Sequence, residues 1–148
     1  MKKIIGIGVV CSLLLVLTGT GGTAWAQEGK HEKKHEVHNK IHSWKQLDEY
    51  HDVMAATFHP MEEGNLKPIR SRADELALKA TNWAKSTPPK EFDRPEIKQN
   101  LTALETESKA LAALVGKKAT DEEIKKSLTA LHDRFHQIVG QCRDAAKK

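Results

Sequence analysis

Residues 120–142 read TDEEIKKSLTALHDRFHQIVGQC, and the fold turns on how this stretch is parsed. Ile124, Leu128, Leu131, Phe135, Ile138 and Cys142 recur in steps of four and three, which is the period of one apolar stripe along an α-helix. Thr120 followed three residues later by Glu123 has the spelling of a capping box, so the helix is expected to open at Asp121. A helix with one apolar stripe needs other stripes to cover it, and the rest of the chain must supply them.

Working back toward the N-terminus, Ile97, Leu101, Leu104, Ser108, Leu111 and Val115 form a second stripe. Asp93-Arg94-Pro95-Glu96 reads as its capped start, and Gly116 closes it. Ile69, Ala73, Leu76, Ala80 and Trp83 form a third stripe, from about Leu66, with Pro68 tolerated in the first turn and Thr87-Pro88-Pro89 as the stop. The fourth takes Val37, Ile41, Trp44, Leu47, Met54 and Phe58, with His51 filling the gap at seam spacing. Gly64-Asn65 marks the junction to the next helix, and Pro60 is expected to kink or end the regular part earlier. Four stripes joined by short connections predict an all-α, antiparallel up-down-up-down four-helix bundle over residues 41–148.

Composition agrees with a long-helix protein. The chain has 148 residues, 39% hydrophobic, 5% aromatic and 30% charged, a balance unlike that of a sandwich or barrel. Its first 26 residues read as a cleaved secretory signal: Lys2-Lys3, an apolar run from Ile4 to Leu17, and Ala24-Trp25-Ala26 as the cleavage site. The run is too short for a comfortable span, so no integral membrane protein is expected after cleavage, and the location is periplasmic or secreted. Without Lys2 and Lys3 the chain keeps 22 basic against 20 acidic residues, too even a balance to argue for nucleic acid. Residues 27–40 are mostly Lys, Glu and His, a tail or frayed helix start. One cysteine, Cys142, is left in the mature chain; it cannot staple the fold internally, and the expected monomer has a Cys142-linked dimer as its alternative.

All eight histidines follow the signal. His31, His35, His38 and His42 share one face of any helix formed there and can loosely chelate Zn, Cu or Ni, or merely be a solvated polar stripe. The second group is His51 and His59 with Met54 on the first helix, and His132 and His136 four apart on the last. Antiparallel packing brings the two sets together. A buried imidazole at His51 needs a partner, and a metal ion is one way to supply it. No nucleophile–base pair or paired catalytic carboxylates stand out, so the reading is not of an enzyme.

The stretches Lys85-Ser86-Thr87-Pro88-Pro89-Lys90, Pro95-Glu96-Ile97-Lys98 and Leu128–Gln137 resemble the periplasmic cytochrome b562 family, over roughly residues 65–137. The resemblance implies an exported four-helix bundle that holds non-covalent haem b and passes electrons to a redox partner protein. By that match His136 is an axial haem ligand, with Met54 or His51 as the second. No C-x-x-C-H occurs, so covalent c-type attachment is not expected. The alternative is a haem-free periplasmic protein binding a transition metal ion (Zn, Cu or Ni) through His51, His59, His132 and His136.

Overall fold

The computed structural model describes residues 43–147, so the signal, the tail and the histidines at 31, 35, 38 and 42 lie outside the described residues. Four α-helices make up most of the described chain: α1 (Lys45–Glu62), α2 (Lys67–Lys85), α3 (Pro95–Gly116) and α4 (Asp121–Ala146). A single 3₁₀ turn, Lys90–Phe92, sits between α2 and α3, and no strand occurs among the described residues.

The stripes read from the sequence are the buried faces. Every expected seam residue of α2 and α4 is buried, as are Ile97, Leu101, Leu104, Ser108 and Leu111 on α3. On α1 the expectation fails at one position. His51 is exposed, and Tyr50 takes the core place with no exposed surface. Both residues satisfy three-or-four spacing between Leu47 and Met54; the larger apolar body of the phenol ring wins the inward position.

Helix ends explain the short connections. α4 opens on the expected reciprocal box, Thr120 accepting from the Glu123 amide while the Glu123 carboxylate accepts from the Thr120 amide at 2.9 Å. The box expected at α3 is absent: Arg94 is the N-cap without a side-chain bond, and Asp93 ion-pairs with Lys98 instead. Pro60 does not end α1 early: the helix runs on through it to Glu62, although the proline lacks the N–H that would bond the Ala56 carbonyl. The amide of Asn65 bonds the Pro60 carbonyl at 2.8 Å and that of Gly64 bonds the Met61 carbonyl at 2.9 Å. With Gly64 at φ 83°, this is a Schellman closure. The same two-bond pattern ends α3, Ala119 to Leu114 and Lys118 to Val115, both at 3.0 Å. There the left-handed position falls on Lys118, φ 56°, two residues past the glycine expected to close the helix.

Consecutive helices pack on one another, and α4 returns to α1 in the sparsest of the four contacts. Polar ties reinforce the other seams. Lys79 reaches Glu49 at 3.0 Å between α1 and α2, and Thr81 reaches Glu105 at 3.1 Å between α2 and α3. Arg134 grips Glu107 with both guanidinium arms, at 2.6 and 2.7 Å, between α3 and α4. At one end Trp44 donates to the Ser86 hydroxyl at 2.8 Å and packs between Trp83 and Phe92. The Pro-Pro stop thus ends in an aromatic lid, with the 3₁₀ turn also packed on α4.

Three buried polar atoms, the Tyr50 hydroxyl, Trp83 Nε1 and the Ser108 hydroxyl, have no hydrogen-bond partner among the described residues. Tyr50 and Ser108 lie close enough to interact without closing a bond, and burial pushes the phenol well above its ordinary range. Tyr50→Phe is therefore expected to leave stability unchanged or raise it by up to about 1–3 kcal/mol, measured by urea unfolding, since it deletes an unsatisfied buried hydroxyl. Lys118→Gly should add about 1 kcal/mol in the same assay, because glycine enters the left-handed region without the steric cost of a Cβ.

Candidate functional site

The sparse α1–α4 seam carries the histidines. Phe135 points inward from α4, with its ring 5.8 Å from Tyr50 and 6.1 Å from Trp83. That inward position turns His132, three residues before it, and His136, one residue after it, toward the edge of the seam, while Arg134 points to Glu107 on α3. One helical turn then places the two imidazoles together, 4.4 Å between centroids and 3.0 Å between their Nε2 atoms. In the neutral pair one ring donates its N–H and the other accepts.

Each imidazole of the pair meets an aromatic ring, His132 across the seam and His136 on its own helix. His132 lies flat on Phe58 of α1, with centroids 3.7 Å apart and planes 5° from parallel. Phe58 also meets His59 edge-on at 6.0 Å. His59 in turn hydrogen-bonds through Nδ1 to the Glu62 carboxylate at 3.1 Å. On the other side His51 stacks on Phe135 at 5.4 Å, and Phe135 meets His136 at 5.5 Å. His51, Phe135, His136, His132, Phe58 and His59 thus form one unbroken file of rings along the seam.

The five residues singled out from the sequence fall into three situations. His132 and His136 come together as a pair. His59 and His51 flank that pair and touch it only through Phe58 and Phe135 respectively. Met54 is sealed in the core with no exposed surface. Among the described residues no three His, Cys, Asp or Glu side chains are gathered in ligating geometry.

For haem, the two candidate ligand pairs meet different obstacles. A macrocycle between His51 and His136 needs the space where the Phe135 ring now contacts both imidazoles. A Met54–His136 pair needs the thioether to leave the core for a ring on the exposed side of α4. A single ion needs neither. Two imidazole nitrogens that share a tetrahedral ion at about 2.0–2.1 Å stand about 3.3–3.4 Å apart, within about 0.4 Å of the 3.0 Å already present.

Sequence reasoning missed Phe58 and Tyr50 as parts of this region, reading Phe58 only as seam and Tyr50 not at all. Tyr50's signal was available, since it stands three residues after Leu47 and four before Met54. Cys142 is fully buried, as its seam position implied, and burial pushes its thiol up to about 12. A thiol so placed is a core side chain of the folded chain, and a bridge between chains would require α4 to open. No helix among the described residues is long and apolar enough to cross a membrane. No family model, curated protein or solved structure matches the chain.

Burial holds His132 below the ordinary imidazole range, and His136 adds to this; Asp133 and Glu62 pull the other way, and His59 adds a smaller downward push. The folded state therefore binds this proton less readily than the unfolded chain. The associated stability is present above about pH 6.5, the unperturbed imidazole value, and is lost as pH falls below it. Thermal unfolding at pH 7.5 and pH 5.0 should show a smaller drop for His132→Gln than for the parent chain. An equal drop in both would place the titrating group elsewhere.

Proposed function

We propose that the chain is an exported, non-enzymatic, antiparallel up-down-up-down four-helix bundle that binds a transition metal ion (Zn, Cu or Ni) at the α1–α4 seam. The observation that carries this reading is the His132–His136 pair, with Nε2 atoms 3.0 Å apart on one face of α4. Borderline cations of this series favour neutral imidazole nitrogen, and two such donors one turn apart form a bidentate clamp. The ion would replace the Nε2–H···Nε2 hydrogen bond and take both Nε2 lone pairs, the hydrogen of the donor ring passing by way of solvent to its own Nδ1.

Several features support the finer parts of the proposal. Trp44 meets the far end of α2 at Trp83 and Ser86, while Asn100 and Glu107 of α3 meet Gln141 and Arg134 of α4 in reverse order. Pairings of this sense are those of antiparallel neighbours. The leader-like first 26 residues support export to the periplasm or beyond, and the single buried cysteine supports a monomer. In this reading the protein buffers or carries the ion, and the near-even balance of basic and acidic residues gives a nucleic-acid partner no support.

The haem reading, an electron carrier resembling cytochrome b562 with His136 and either His51 or Met54 as ligands, asks for more rearrangement at Phe135 or in the core. It is kept as the outcome that would overturn the metal proposal. Calorimetric titration with Zn²⁺, Ni²⁺ and Cu²⁺ is the test, using the full chain with His31, His35, His38 and His42 replaced by Gln. One ion per chain is expected, with His136→Ala abolishing stoichiometric binding, His51→Ala sparing it, and Met54→Ala costing about 2–5 kcal/mol of stability without changing stoichiometry. A Soret band in protein purified from the periplasm without added ligand, lost in His136→Ala, would favour haem instead.

A further inference from the structure

The ring of His59 is oriented by a carboxylate. Its Nδ1 sits 3.1 Å from the Glu62 oxygen, one turn along α1, so the hydrogen on the neutral ring is held at Nδ1 and the Nε2 lone pair is left free. A carboxylate behind an imidazole in this way is the usual outer partner of a metal-ligating histidine, fixing the tautomer and raising the basicity of the opposite nitrogen. The two members of the α4 pair also face each other through Nε2. Three imidazoles therefore offer, or can offer, the same nitrogen.

Gathering them on one ion requires His59 to move, since no three such side chains stand in ligating geometry among the described residues. His132 and His59 both contact the Phe58 ring, one on its face and one at its edge. The His59 side chain is 68% exposed and that of Glu62 is 54% exposed, so the two have solvent on the side into which they would turn.

We infer that Glu62 presents His59 as a third nitrogen ligand to the ion held by His132 and His136, giving a three-imidazole site that bridges α1 and α4. This rests on the proposed metal-binding reading and goes beyond it in naming Glu62 as a positioning residue and the ion as a cross-helix tie. Three neutral nitrogens satisfy three of the four tetrahedral positions of a zinc-like cation. The fourth stays with solvent, which suits an ion that is to be handed on. The tie falls on the seam that has the fewest other contacts, so ion binding should stiffen the bundle where it is loosest.

The test uses Zn²⁺ as the probe and the full chain with the four tail histidines replaced by Gln. In a chelator competition, His59→Ala and Glu62→Ala should each weaken Zn²⁺ binding at least tenfold while keeping one ion per chain, and Glu62→Gln, which retains an acceptor oxygen, should recover most of the loss. Without metal, long-range imidazole ¹⁵N correlation spectra should show His59 protonated at Nδ1, shifting to a tautomer mixture in Glu62→Ala with the His132 and His136 signals unchanged. Saturating Zn²⁺ should raise Tm more in the parent than in His59→Ala. Binding abolished by His136→Ala but unaffected by His59→Ala or Glu62→Ala would overturn the three-imidazole site and leave the two-histidine reading intact. Full binding by His136→Ala would remove the foundation of both.

Discussion

The ring of Phe135 fixes the rotation of α4, and most of the structure follows from that. Inside, it packs on Tyr50 and Trp83, so three helices meet on one aromatic contact. Outside, the same ring supports His51 and His136. With Phe135 inward, Arg134 has only α3 to face, where it finds Glu107, and His132 has only α1, where it finds Phe58. A different rotation of α4 would separate the imidazoles from the seam and leave Arg134 without its carboxylate.

The seams differ in kind. Three are tied by ion pairs or hydrogen bonds whose charges resist reordering: Glu49 is held below the usual carboxylate range first by Lys79 and then by Lys45, and Glu105 by Lys109 and Thr81. These half-buried pairs, still in reach of solvent, add little each to stability, but they set register. The fourth seam, α1–α4, is closed by stacked rings that can slide or tilt at small cost. A site built there trades rigidity for access.

The α4 stripe was fully legible because its apolar residues are unambiguous and its cap is spelled by Thr120 and Glu123. The α1 stripe was not, because Tyr50 and His51 both fit the spacing and only packing decides between them. Expecting His51 inside displaced the site inward, toward Met54, whereas the structure sets the imidazoles at the rim and leaves Met54 as core filler. The pairing of His132 with His136 could be read from a spacing of four. The partnerships of His132 with Phe58 and of His59 with Glu62 depend on how α1 and α4 face each other, and on a rotamer, which no one-dimensional pattern carries. Likewise the left-handed Lys118 was hidden by Gly116, the residue whose type suits that conformation but whose position does not.

The tryptophans of the described residues, Trp44 and Trp83, stand in edge contact at 5.6 Å at the start of α1 and the end of α2. His59 lies fifteen residues further along α1, on the order of 22 Å away at 1.5 Å per residue. Indole emission from the described residues thus arises at the end of the bundle opposite His59, with Trp83 reaching Phe135 and through it His51 and His136. Emission reports when the Trp44–Trp83–Phe92 lid separates, and the His59 imidazole signal reports the far end of α1. Comparing the two as temperature rises would reveal whether the bundle melts as one body or frays first from one end.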